Sequence, residues 1–158
     1  MKDAKAAQLA ASMEIARRVR LPDLRERILL KSTKDAVEYA RTRLAGLGEE
    51  HFRVLLLNRR GALIEDSLLA TGTVNQSRPS IRTVVARALQ VNASAVIAMH
   101  NHPSGKAEAS ESDKIFTQDL ICAMKPIGIK LLDHLIVGAE SVFSFTDSGL
   151  MQEIFLTV

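Results

Sequence analysis

One cysteine in 158 residues, Cys122, excludes a disulfide framework and any zinc site built from several thiolates. Tryptophan is absent and tyrosine occurs once, so the chain offers few stacking platforms for single-stranded bases. No apolar run approaches the roughly 18 residues of a membrane span, and the N-terminus lacks the apolar core of a signal peptide. A location in the cytoplasm and no membrane partner are the expectations. Disorder is excluded as well, because the apolar share is 47% and the net charge only +3. The length suits one domain that can bury a core without staples.

Charge is unevenly placed. Residues 1–31 hold eight Lys/Arg against four acids, a net +4, and the remaining 13 basic and 14 acidic residues leave 32–158 at −1. A basic segment can dock on phosphates, although a solvated helix face accounts for the same count.

The spacing of apolar residues predicts a helix over 3–19, with Ala7, Leu9, Ala10, Met13, Ile15 and Ala16 near one face. Residues 21–31 read as a connecting segment behind Pro22. A helix is expected from Ser32, through a Ser-x-x-Asp capping pattern with Asp35, to about Leu47, with Gly48 as its stop. The period then changes to about two. Strands are expected at 52–57, 62–66 and 68–74, a helix at 80–91, a strand at 93–99, a helix at 110–124, and strands at 129–137 and 142–145. The fold class is α/β, a mixed β-sheet flanked by helices.

Two of the four histidines, His100 and His102, fall within three residues, just where an apolar strand should end. In extended backbone, positions i and i+2 point to the same side, so both imidazoles can converge on one point. Pro103 and Gly105 then turn the chain towards a helix with Ser110 as N-cap, which puts Asp113 in its first turn. Two imidazoles and a carboxylate form a standard ligand set for catalytic zinc, with water in the fourth place. There is no His-Glu-x-x-His helix, no Pro-Cys-x-x-Cys and no G-x-S-x-G elbow. His134 is expected to be a satisfied, partly buried histidine paired with Asp133. His51 reads as a surface residue and Cys122 as a small core residue on an apolar helix face.

His100-Asn101-His102-Pro103, six residues, Ser110, two residues and Asp113 resemble the JAMM (MPN+) metalloprotease pattern. More narrowly, HNHPSGKAEASESDKIFT, ending at Thr117, resembles the JAMM domain of the bacterial RadC family. So do Gly72–Ser77 (GTVNQS), Asp133–Gly138 (DHLIVG) and the pair Ser144-Phe145. Ala109 departs from that family, which has Pro before the serine.

The resemblance implies a three-layer, cytidine-deaminase-like JAMM/MPN architecture over 32–158. It implies Zn2+ on His100, His102 and Asp113, with Glu50 as general base, Glu49 being the adjacent alternative. It also implies that the Ser110 hydroxyl stabilises an oxyanion. Asn101, between the ligands, should point the other way into a supporting role. The activity implied is that of a zinc metalloprotease cleaving a peptide or isopeptide bond of an unidentified protein or peptide substrate.

Residues 1–20 resemble the last helix of the helix-hairpin-helix region that precedes this domain in RadC proteins, so the chain reads as a fragment begun inside that helix. The competing reading is a DNA-associated, repair-linked module without proteolysis, or a metal-dependent nuclease, with DNA contacted through the missing N-terminal region. Leu9, Met13 and Ile15 still need cover, which makes a homodimer through the first helix an expectation. Deleting residues 1–20 should leave metal binding intact and shift any dimer towards monomer in sedimentation at two concentrations. Unfolding, or an unchanged dimer, contradicts this.

Overall fold

The computed structural model describes residues 28–72 and 78–157. The helix expected at 3–19 and the end of the strand expected at 68–74 lie outside these residues. Of the connecting segment, Leu29 bridges to Ala62 and Leu30 is buried against the sheet.

Helix α1 (Thr33–Leu44) begins as its sequence pattern requires. Ser32 Oγ accepts from the Asp35 N–H at 3.2 Å, and the Asp35 carboxylate accepts from the Ser32 N–H at 3.0 Å. Its end falls earlier than expected. Ala45 already leaves the helical region, and Gly46, not Gly48, takes the left-handed conformation with φ +77. Leu44, the last residue of the helix, is fully buried.

Five strands form one sheet in the order β2-β1-β3-β4-β5: β1 (Glu50–Leu57), β2 (Leu63–Gly72), β3 (Ala95–Asn101), β4 (Lys130–Val137) and β5 (Val142–Ser144). Among the described residues the β3–β4 pairing is parallel and the β1–β2, β1–β3 and β4–β5 pairings are antiparallel. The two strands expected at 62–66 and 68–74 are a single strand, β2. Phe52 pairs with Ala70 and Arg53 with Leu68, so Leu69 is an extra residue in the ladder. Such a bulge reverses the inward–outward alternation, and a change of phase reads as a break between strands.

Helix α2 (Ile81–Gln90) starts at Ser80, whose hydroxyl accepts from the Thr83 N–H. Helix α3 (Glu111–Met124) starts at Ser110, and a short 3-10 turn (Lys125–Ile127) with Gly128 at φ +73 leads into β4. A final helix, α4 (Leu150–Thr157), was not anticipated. Its only periodic signal is the buried pair Met151 and Ile154, which is too short to stand out from the sequence alone.

The sheet is covered on both faces. Phe52, Val54 and Leu56 of β1, with Val96 and Ala98 of β3, pack on one side against Val84, Phe116, Leu120, Met124, Met151 and Ile154. Leu55, Leu57, Ile97, Met99, Leu135 and Val137 pack on the other against Ala36, Ala40 and Leu44 of α1. The result is three layers, with α1 on one face and the other helices opposite. Double coverage explains why β1 and β3 read as unbroken apolar runs. Cys122 is exposed, contrary to expectation. The buried stripe of α3 runs through Asp113, Phe116, Thr117, Leu120, Ile121 and Met124, and Cys122 lies off it. His51 is half-buried, not on the open surface.

Leu44→Ala should cost about 3 kcal/mol in denaturant unfolding, because it leaves a cavity between α1 and the sheet. Leu156→Ala, at an 89% exposed position, should stay within about 0.5 kcal/mol.

Candidate metal centre

The site forms where β3 runs out of sheet. Strand alternation puts Ala98 and His100 on the face of α2, α3 and α4, and Asn101 on the face of α1. His102 follows β3, and its N–H donates to Val137 O at 2.9 Å, extending the parallel ladder by one bond. His100 and His102 therefore share a side, and their Nε2 atoms lie 3.0 Å apart. His102 Nδ1 is 3.0 Å from Lys106 O, so the ring is held from behind by the loop it starts.

Asp113 comes to the same point from α3. It is the third residue of that helix and completes a capping box: its Oδ2 accepts from the Ser110 N–H at 2.8 Å, and Ser110 Oγ accepts from its own N–H. Helix capping thus fixes the carboxylate in the first turn, facing β3. Asp113 Oδ1 lies 3.2 Å from His100 Nε2, and Oδ2 lies 3.8 Å from His102 Nε2. The three donor atoms fall within 4.8 Å of one another, so these residues can hold a metal ion. Burial opposes charge on Asp113, yet hydrogen bonds and charge from His100 and Ser110 outweigh it and hold the carboxyl well below the usual carboxylate range.

The donor set calls for a cation. Two imidazole nitrogens face each other at hydrogen-bond distance beside an ionised carboxylate with no solvent exposure. Arg78 supplies positive charge here, with Nη2 2.5 Å from Asp113 Oδ1. Arg78 escaped the sequence reading, because nothing in its spacing ties it to residue 113.

Glu50 opens β1. Phe52 pairs directly with His100 across the β1–β3 ladder, and their rings stack at 5.8 Å with a 10° tilt. Glu50, two residues earlier, projects on the same face towards the His102 end. It is 3% exposed and has no hydrogen bond or ion pair among the described residues, whereas Glu49 is exposed. Asn101 holds this strand start from the opposite face. Its Oδ1 accepts from the His51 N–H at 2.8 Å, and its Nδ2 donates to Glu49 O at 2.9 Å. The backbone on both sides of Glu50 is therefore pinned by the residue between the two histidines, the supporting role expected for Asn101.

His134 is fully buried, deeper than expected, and its partner also differs from the one expected. Its ring does not meet Asp133, whose Oδ1 accepts from the His134 and Thr146 backbone N–H groups while Oδ2 takes the Ser144 hydroxyl. Neighbouring residues of a strand face opposite sides, and His134 lies on the His100 side. It is 3.0 Å from His100 Nδ1 and 2.7 Å from Thr117 Oγ1, and stacks on Phe145 at 5.0 Å. Burial holds its pKa well below 6.5, so the ring is neutral at physiological pH.

The loop carrying His102 rests on the β4–β5 turn. Gly105 O accepts from the Ala139 N–H at 3.0 Å. A Cβ on Gly138 would lie 2.5 Å from Gly105 O and 2.8 Å from Ala107 N, so only glycine allows this approach.

A family model of the RadC-like JAB domain matches residues 30–150, a span that holds every candidate site residue. UPF0758 protein YeeS of Escherichia coli is 44% identical over 124 residues, covering 78% of this chain and 84% of that protein. A UPF0758 protein of Leptothrix cholodnii is 42% identical over 148 residues, 94% of this chain and 67% of the relative. One from Paraburkholderia phytofirmans is 43% identical over 146 residues, 92% of this chain but 56% of the relative.

Gly138→Ala should push the 102–107 loop from the turn, at a cost of about 1–3 kcal/mol in unfolding. It should also weaken metal uptake in titration, because His102 moves with the loop. Unchanged uptake would show that the loop's seat does not set the ligand.

Proposed function

Because this chain belongs to the RadC-like JAB domain family, we propose that it is a zinc-dependent hydrolase of the JAMM type, acting on a peptide or isopeptide bond. The observation that carries this reading is the convergence of His100, His102 and Asp113, supported by a buried Glu50 on the same face of the sheet with no side-chain partner among the described residues. A metal with three protein ligands and an open fourth position suits catalysis and not a purely structural site.

Bound zinc would polarise a carbonyl and lower the pKa of a coordinated water from about 15.7 to about 7. In this reading Glu50 is the general base. It lies on the His100 face, out of bulk water and without a side-chain partner among the described residues, so its carboxylate can accept a proton from the attacking water and return it to the leaving amine. Positioned proton transfer of this kind contributes roughly 10²–10⁴-fold. Ser110, whose Oγ lies 2.5 Å from Asp113 Oδ2, sits at the edge of the centre. In this reading its hydroxyl would turn to a developing oxyanion, a contact worth about 3 kcal/mol. Asn101 keeps Glu50 in register through the strand start.

Titration of the metal-free protein should show one zinc per chain, and His100→Ala or His102→Ala should abolish uptake. Glu50→Gln should retain zinc and lose hydrolysis of a peptide library by at least 10²-fold, while Asp113→Asn should weaken the metal itself. Loss of zinc in Glu50→Gln, or inactivation by Glu49→Gln instead, would show the base is misassigned.

A further inference from the structure

Behind the metal centre, buried polar atoms form one line. His100 Nδ1 is 3.0 Å from His134 Nε2, His134 Nδ1 is 2.7 Å from Thr117 Oγ1, and Thr117 Oγ1 is 2.7 Å from Asp113 O. A carbonyl oxygen can only accept, so the last contact sets the direction of the whole line. Thr117 uses its single hydroxyl proton on Asp113 O. Its oxygen must then accept from His134, which therefore carries its proton on Nδ1. A neutral ring protonated there has its lone pair on Nε2, and the Nδ1–H of His100 donates to that lone pair.

We propose that Thr117 and His134 are positioning residues that hold His100 in its Nδ1–H tautomer, so that the Nε2 lone pair is aimed at the metal position between His102 and Asp113. His102 reaches the same tautomer independently, since Lys106 O can only accept from its Nδ1–H. The reverse direction, with Thr117 donating to His134 and His134 Nε2–H donating to His100, would place a proton on His100 Nε2, in the metal's place. Ring flips are restrained as well: His100 stacks on Phe52 with a 10° tilt, and His134 on Phe145 with an 18° tilt. Thr117 is fully buried, so water has no access to supply a substitute partner. This inference rests on the metal-centre reading, and partners of this kind typically shift metal affinity 10–100-fold.

Long-range ¹⁵N–¹H NMR of the imidazoles in the metal-free protein tests the tautomers without any activity assay. The expected pattern is Nδ1–H on both His100 and His134, with His134 Nε2 unprotonated, and a His100 that carries its proton on Nε2 with Nδ1 bare overturns the proposal. Thr117→Val removes the hydroxyl at nearly constant shape. It should raise the zinc Kd, measured by chelator competition, about 10–100-fold, and populate Nε2–H on His100. Thr117→Ser should restore both readouts. A Thr117→Val protein that melts lower but keeps the wild-type tautomer and Kd would assign Thr117 a purely structural role and overturn the proposal. Should Thr117→Val fail to fold, His134→Gln decides: its amide can accept from His100 and donate to Thr117, so most of the affinity should remain, and complete loss overturns the proposal. If the wild type takes up no zinc, the hydrolase reading falls, while the tautomer pattern still decides the inference.

Discussion

A histidine with no solvent exposure commits its surroundings to satisfying two nitrogens. His100 is in that position, at the end of a strand covered on both faces, and an unpaired buried polar group costs about 1–3 kcal/mol. On one side its Nδ1 needs a partner, and His134, Thr117 and the first turn of α3 meet that need in sequence. On the other its Nε2 needs a cation or a proton, and Asp113, His102 and Arg78 gather there. Among the described residues, half of the buried polar side chains, those of His100, Asp113, Thr117 and His134, belong to this one connected set.

The same economy operates through the sheet. Asn101, the next residue, points to the opposite face and is equally buried, so it too must find partners. It finds them in the backbone on either side of Glu50. Two consecutive residues of β3 therefore serve both parts of the candidate centre. One belongs to the group that could hold a metal, and the other anchors the strand that carries Glu50. The parallel β3–β4 pairing completes the arrangement, because it sets His134 beside His100 and lets His102 extend the ladder to Val137.

Helix capping has a second use here. The box at Ser32 and Asp35 serves only to start α1, in the open. The box at Ser110 and Asp113 has the same hydrogen bonds, but its carboxylate is buried and faces two imidazoles. The difference lies in what the first helical turn packs against.

Local patterns were legible in the sequence for local reasons. Capping residues, the i,i+2 spacing of His100 and His102, and Asp113 in the first turn of α3 are set by backbone geometry over a few residues. Glu50 was legible only through family resemblance, since an acid at a strand start is ordinarily solvated. The early stop at Gly46, the bulge at Leu69 that joins two expected strands into β2, and the small helix α4 were not legible. Each depends on which side of the element the core lies. Most plainly tertiary are the partners of His134 and Arg78, which reach the centre from residues 34 and 35 positions away in the chain. Sequence by itself determined which side chains could bind a metal, because ligand type and short-range spacing are covalent facts. Only the packed sheet decided which of their nitrogens face it, because that depends on hydrogen bonds between strands and helices that no local pattern encodes.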